Sequence, residues 1–134
     1  MKYLCLICAE HVMEDMPEEV AARHYDDYAA FTDEIRRQGH FVGGNRLLPR
    51  DTAATVRVRN GVVSVVDGPF AETREQVGGY YVIEAASMAD AVRVASKIPG
   101  AQIGCVEVRP IADDPQTRAL GLDSPSPEAA AGEP

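Results

Sequence analysis

The residues best suited to chemistry stand in one short segment, Asp67-Gly68-Pro69-Phe70. Extending the alternation of the preceding strand places Asp67 beside an apolar row of valines, where a carboxylate is costly unless it accepts hydrogen bonds or meets a cation. Because an acid at the rim of a pocket is a candidate general base, we predict a catalytic role for Asp67. The alternative is structural, with Asp67 accepting backbone N–H bonds that fix the turn made by Gly68 and Pro69.

A second group of candidates lies on the apolar stripe of a predicted helix. His24, Tyr28 and Phe31 follow one another at spacings of four and three residues, so they face the same side. The polar groups of His24 and Tyr28 on such a stripe have two interpretations. Either they are hydrogen-bonded within the core, or they line a cleft, where they donate a proton or orient a substrate. The predicted ligand-binding residues are therefore Tyr28, His24, Phe31, Gly68, Pro69 and Phe70.

Charged and metal-binding candidates are few. Arg46 is a candidate to bind an anionic ligand, with a solvated surface charge as the alternative, whereas Arg57 is predicted on the face opposite Asp67. The three histidines share no metal-ligand spacing, and the glycine pairs match no P-loop or dinucleotide fingerprint. We therefore predict neither a metal nor a cofactor.

Cys5 and Cys8 have the CxxC spacing of redox motifs. That motif needs a helix N-terminus to lower the pKa of a thiol, whereas this pair falls on a predicted strand, where a spacing of three sends the two sulfurs to opposite faces. We predict that both are core residues and that Cys105 is a small hydrophobic residue on the last strand.

The elements that must position these residues alternate between strand and helix periods. Strands are predicted at Lys2–Cys8 and Gly79–Ala85, which are apolar on both faces, and at Gly43–Leu48 and Ile103–Arg109.

Two helices are predicted between these strands. Asp15, Pro17 and Glu18 predict the start of the first, and Gly39 its end. Ser87 and Asp90 form a capping box for the second, with Ala91, Val92, Ala95 and Ile98 predicted on its inner face. The order of elements predicts an α+β fold, ferredoxin-like with an inserted β-hairpin.

The inserted hairpin spans Thr55 to Val66 around the turn pair Asn60-Gly61, which favours a type I′ turn. The turn pairs Arg59 with Val62 and predicts one apolar face of Val56, Val58, Val63 and Val65. The two helices cover one face of the sheet, so the other apolar face predicts a homodimer packed sheet to sheet. The alternative is that the hairpin folds back over that face.

Composition bounds the class of protein. The chain has 134 residues and a formal net charge of −8, which argues against nucleic-acid binding. No apolar run approaches the roughly 18 residues of a membrane span, and no signal-peptide pattern is present, so we expect a cytoplasmic protein without membrane contact. Residues 1–111 are the predicted domain, and the acidic, proline-rich residues 112–134 are a predicted disordered tail.

Several segments closely resemble the DGPF-domain proteins of the YCII-related family over residues 1 to about 111. They are the opening Met-Lys-Tyr-Leu strand, Val42-Gly43-Gly44, Thr55 to Gly61, Asp67 to Gln76 (DGPFAETREQ), Gly78 to Tyr81 and Val106 to Pro110. The resemblance implies a ferredoxin-like domain of the dimeric α/β-barrel type. A histidine–aspartate pair in the broader YCII-like proteins implies an enzyme, with Asp67 carrying the aspartate. Tyr28 occupies the position that matches the histidine, and His24 lies one turn earlier.

Two functional hypotheses follow. The first is a small cofactor-independent enzyme that uses Asp67 as general acid or base on a small metabolite. The second is a ligand-sensing or interaction module, because DGPF proteins resemble companions of extracytoplasmic-function sigma factors. The expected partners are accordingly a second copy of the chain, a small-molecule ligand and, in the second hypothesis, a sigma factor.

Overall fold

The computed structural model describes residues 1–9, 15–69 and 75–122 of the chain. The described residues form six strands: β1 (Lys2–Ala9), β2 (Phe41–Arg46), β3 (Ala54–Arg59), β4 (Val62–Asp67), β5 (Gln76–Glu84) and β6 (Gly104–Pro110). They also form three α-helices, α1 (Glu18–Arg37), α2 (Met88–Ala95) and α3 (Pro115–Ala119), and short 3₁₀ turns at Arg50–Thr52 and Pro99–Gln102.

Four of the strands form one antiparallel sheet in the order β2-β5-β1-β6, and β3 and β4 form a separate two-stranded sheet. The central strands β1 and β5 are neighbours although α1, β2 and the hairpin separate them in sequence. This is the strand order of a ferredoxin-like α+β domain, so the predicted fold with an inserted hairpin is confirmed.

The helix ends follow sequence signals in most places. The N-cap of α1 is Pro17 rather than the predicted Asp15, and Glu18 and Glu19 in the first turn complement the positive end of the helix dipole. Gly39 has a φ of +80°, a left-handed conformation that favours glycine and ends the helix as predicted. The Ser87 hydroxyl accepts a 3.2 Å hydrogen bond from the Asp90 N–H, which confirms the predicted cap of α2.

The hydrophobic core lies between the sheet and the first two helices. Its largest fully buried side chains are Ile35, Ile83, Ile98, Val94 and Cys5. The predicted inner face of α2 is wrong at one position, because Val92 is 51% exposed and Val94 is buried. A helix turns about 100° per residue, so Val94 rather than Val92 shares the face of Ala91 and Ile98.

The β3–β4 hairpin has the predicted register, with Arg59 opposite Val62 and Val58 opposite Val63. Its apolar face is not buried, however, because Val56, Val58, Val63 and Val65 are each between 55% and 63% exposed. The alternative in which the hairpin folds back to cover the main sheet is therefore contradicted within the described residues.

The face of the main sheet that points away from the helices carries Leu4, Leu6, Cys8 and Val82, since their neighbours Tyr3, Cys5 and Ile83 point into the core. These four residues are only partly buried in the single chain. The homodimer packed sheet to sheet across this face stays a prediction from the sequence.

The residues that follow the sheet are partly helical. α3 forms within the predicted disordered tail, because the Asp114 carboxylate accepts a 2.7 Å bond from the Thr117 N–H and Pro115 starts the first turn. The residues after Leu122 lie outside the described part of the chain. No helix in the described ranges is long and apolar enough to cross a bilayer.

Candidate functional site

A cavity of about 340 Å³ lies between α1 and the sheet. Helix α1 forms one wall with His24, Tyr25, Tyr28 and Thr32, and β1, β2 and β5 form the other. The 3₁₀ turn at Pro99–Gln102 closes the space with Gly100, and the loop after β2 borders it from Leu47 to Arg50. Cavities of this volume accept small organic molecules.

The Tyr28 hydroxyl is the best-defined polar group of the cavity. It accepts a 3.1 Å hydrogen bond from the N–H of Gly100, which leaves its own proton for a bond to something else. Burial is the main reason that the pKa of Tyr28 rises to about 12, so the group is a neutral donor at physiological pH. A Cβ on residue 100 would lie 2.7 Å from this hydroxyl, which is why glycine stands there.

Tyr81 and Thr32 brace the wall beside Tyr28. The Thr32 hydroxyl donates a 2.7 Å hydrogen bond to the backbone carbonyl of Tyr28 and lies 2.7 Å from the Tyr81 hydroxyl. Since a hydroxyl carries one proton, Tyr81 is the donor in this second bond. Burial raises the pKa of Tyr81, and its ring stacks on that of Tyr28 with centroids 6.5 Å apart. The aromatic wall is therefore held in a fixed orientation.

The charged side chains among the described lining residues are the arginines Arg46 and Arg50. His24 lies edge-on to Tyr28, with ring centroids 4.9 Å apart, and Arg46 lies over the ring of Tyr25 at 5.7 Å. Arg50 is also among the lining residues, and the described residues that line the cavity include no Asp or Glu. The whole chain has a net charge of −8, so this local excess of positive charge is opposite in sign to that of the molecule.

Asp67, the predicted catalytic residue, lies at the end of β4, is exposed and is not among the residues that line the cavity. Because the valine row beside it is open to solvent, its carboxylate avoids the desolvation cost expected from the sequence. The turn is held by the backbone of Gly68, whose N–H donates to the Ala53 carbonyl at 2.7 Å and whose carbonyl accepts from the Thr55 hydroxyl at 2.8 Å. Gly68 has a φ of +106°, which favours glycine.

The other predicted ligand residues divide into two groups. His24 and Tyr28 line the cavity together, and Arg46, predicted as an anion-binding candidate, lies there with them. Phe31 is instead 5% exposed in the core, and neither Gly68 nor Pro69 is among the lining residues. Phe70 lies outside the described residues.

Sequence reasoning missed part of the site. Thr32 follows Tyr28 by four residues, so helical spacing could have placed it on the same face. Tyr81 alternates with Tyr80 along β5, but the sequence does not show which of the two faces the helix. Arg50 and Gly100 stand in 3₁₀ turns, which carry no hydrophobic periodicity, so no pattern pointed to them.

Because the pKa of Tyr28 is raised in the folded protein, the free energy of unfolding should vary with pH in the alkaline range. The phenol ionises near pH 10 in the unfolded chain and near 12 in the folded one, so the unfolded state binds fewer protons between these values. The stability that the protonated Tyr28 contributes is fully present below pH 10 and is lost as the pH rises through 12. Urea denaturation at increasing alkaline pH should show a fall in stability that is shallower in Tyr28→Phe. Equal slopes in the two proteins would contradict the assignment.

Comparison with known proteins shows what the chain is similar to. A family model of the YCII-related domain matches residues 1–114. An uncharacterised protein of Rhizobium meliloti (strain 1021) is 46% identical over 69 residues, which are 50% of this chain and 56% of that protein, so the match spans about half of this curated relative. A solved structure of 5-chloro-2-hydroxyhydroquinone dehydrochlorinase from Burkholderia phenoliruptrix AC1100, in complex with 2,5-dihydroxybenzoquinone, is 14% identical. It aligns over 87% of this chain and 98% of its own, with a TM-score of 0.48.

Proposed function

The chain belongs to the YCII-related domain family, and we propose that it binds a small aromatic or similarly apolar anion in the cavity between α1 and the sheet. The proposal rests on the types of residue that line this cavity. Aromatic side chains form its walls, and the positively charged side chains of Arg46 and Arg50 line the same cavity.

The aromatic walls favour a flat, apolar ligand body. Tyr28, Tyr81 and Phe41 all line the cavity, and Tyr81 contacts Phe41 edge-on with ring centroids 6.4 Å apart. Aromatic rings prefer offset-stacked or edge-to-face partners, and such pairs contribute about 0.5–1.5 kcal/mol beyond the burial of area. A ring of the ligand between these walls would complete the same pattern.

The positive groups favour a negative charge on the ligand. A guanidinium binds a carboxylate through two parallel charge-assisted hydrogen bonds, which are stronger than bonds between neutral groups. The Tyr28 hydroxyl adds a neutral donor at the wall of the cavity formed by α1. An aryl carboxylate or a phenolate satisfies both requirements.

Proton transfer on the bound molecule is a second candidate function. The observation that favours it is the contact between His24 and Tyr28, because an imidazole is a common general acid or base and Tyr28 is a hydrogen-bond donor at the same wall. The general-base role of Asp67 stays a prediction, which Asp67→Asn would test once a substrate is found. The association with a sigma factor also stays a prediction.

The test uses benzoate as probe, with benzamide and benzylamine as ring-matched neutral and cationic probes, measured by isothermal titration calorimetry. The double variant Arg46→Glu/Arg50→Glu reverses the charge at the cavity. Arg57→Glu/Arg59→Glu makes the same change in net charge on the exposed hairpin and serves as the matched control.

We expect benzoate to bind the wild type and the hairpin variant with equal affinity, and more tightly than the other two probes. The cavity variant should bind benzoate about tenfold more weakly or worse, since each 1.4 kcal/mol of lost interaction is a factor of about ten. Equal weakening in both double variants would assign the effect to net charge alone. Preference for benzylamine would overturn the proposal.

A further inference from the structure

Two cysteines that are not among the residues lining the cavity face each other across neighbouring strands. Cys8 of β1 and Cys105 of β6 are direct partners in the antiparallel register. Directly opposed residues in such a pair project to the same face of the sheet. Cys5 and Ile7 point into the core, so Cys8 and Cys105 lie on the face away from the helices.

The side chains of this pair are in contact. The thiols of Cys8 and Cys105 lie close enough to influence each other's pKa, and the Cys105 Sγ donates a 3.0 Å hydrogen bond to the Glu75 carboxylate. Cys8 is partly exposed, which corrects the prediction that it is a core residue like Cys5, and Cys105, predicted as a small hydrophobic residue, is exposed. The predicted separation of the Cys5 and Cys8 sulfurs onto opposite faces is confirmed by the burial of Cys5.

The backbone geometry suits a covalent link. Opposed residues in antiparallel strands have Cα atoms about 4.5 or 5.5 Å apart, depending on the type of pair. Both values fall within the roughly 4.4–6.8 Å that disulfides span, so the bond needs no large movement of either strand. Cysteines that form a disulfide in a reducing compartment usually do so reversibly and respond to the redox state.

We propose that Cys8 and Cys105 are a redox pair that forms a reversible cross-strand disulfide by exchange with a low-molecular-weight disulfide such as oxidised glutathione. The exposed Cys105 loses its proton to solvent and attacks one sulfur of the small disulfide, which releases one molecule of thiol and leaves a mixed disulfide on Cys105. Cys8 then attacks the Cys105 sulfur and releases the second thiol. Two protein thiols are oxidised and one small disulfide is reduced to two thiols.

The groups around Cys8 and Cys105 set the rate of thiol–disulfide exchange. The hydrogen bond to Glu75 is the main reason that the pKa of Cys105 rises to about 11, and burial raises that of Cys8. The thiolate is the attacking species, so exchange should be slow at neutral pH and accelerate at mildly alkaline pH. A pair of this kind responds to sustained oxidation rather than to brief exposure.

The experiment incubates the native, full-length protein with oxidised glutathione at neutral and at mildly alkaline pH. Free thiols are then alkylated, and the products are identified by intact mass and by peptide mapping without reduction. The wild type is compared with Cys8→Ser and Cys105→Ser. Cys5, buried in the core, is an internal reference that should be alkylated only after denaturation.

The expected wild-type product has lost two hydrogen atoms and contains a peptide linking Cys8 to Cys105, and dithiothreitol restores the starting mass. Cys8→Ser should stop at a glutathione adduct on Cys105. A wild type that accumulates the same adduct, or that forms Cys105–Cys105 links between chains, would overturn the proposal. Full protection of both thiols in the native protein, as a second copy packed over this face would produce, would overturn it as well.

Discussion

Gly104→Ala is expected to lower the free energy of unfolding by about 3 kcal/mol or more, the largest effect we predict for a single methyl group. The added Cβ would overlap the carbonyl oxygen of Cys8 and lie 2.8 Å from the Cα of Ala9. Both contacts are with backbone, so no change of rotamer relieves them, and β6 must move away from β1. A loss of this size is a large part of the roughly 5–15 kcal/mol that stabilises an ordinary domain.

The matched control is Gly43→Ala, also in a strand of the main sheet, where an added Cβ has no neighbour within 4 Å. Its stability should stay within about 0.5 kcal/mol of the wild type. Urea denaturation followed by circular dichroism compares the three proteins. Equal midpoints for the two variants would contradict the close approach of β1 and β6.

Gly100→Ala is expected to abolish benzoate binding while the protein stays folded. The new Cβ would lie 2.6 Å from Ile7 Cγ2 and 2.7 Å from the Tyr28 hydroxyl, both of them side-chain atoms. The Tyr28 ring must therefore swing away, which breaks its bond with the Gly100 N–H and moves the wall of the cavity. The cost in stability should be about 1–3 kcal/mol, the usual range for overpacking.

Gly78→Ala is the control, because Gly78 also lines the cavity and an added Cβ there has no neighbour within 4 Å. Calorimetric titration with benzoate should give near wild-type affinity for Gly78→Ala and no saturable binding for Gly100→Ala. If Gly100→Ala binds benzoate as well as the control does, the position of Tyr28 is not required for the site.

The fold could be predicted from the sequence because local signals agreed with one another. The Asn60-Gly61 turn fixed the hairpin register, the Ser87 cap marked α2, and the two apolar strands β1 and β5 proved to be the centre of the sheet. The error on α2 arose because Val92 and Val94 are the same residue type, so composition alone did not show that Val94 lies on the inner face.

The site was harder to predict than the fold. His24 and Tyr28 were found because helical spacing joins them, and both line the cavity. Asp67 was singled out on the assumption that the valine face beside it is covered, and in the single chain that face is open. Whether a face is covered depends on contacts between distant elements, which local alternation does not encode.

The turns contributed the least predictable residues. Gly100 and Arg50 stand in 3₁₀ turns and line the cavity only through the packing of these turns against distant elements. Cys8 and Cys105 likewise meet only through the pairing of the first and last strands of the sheet. Their separation in sequence removes any local signal of the contact.

The most direct test of the central claim is a ¹H–¹⁵N correlation NMR titration of the full-length protein with benzoate. We expect saturable shifts of the amides around the cavity, including Gly100, Gly79 and Leu47, with little change at Gly61 on the hairpin tip. The Gly100 amide should respond most clearly, because it donates to the Tyr28 hydroxyl that faces the ligand. Shifts confined to the hairpin or the open sheet face, or none at saturating benzoate, would contradict a small-molecule site in this cavity.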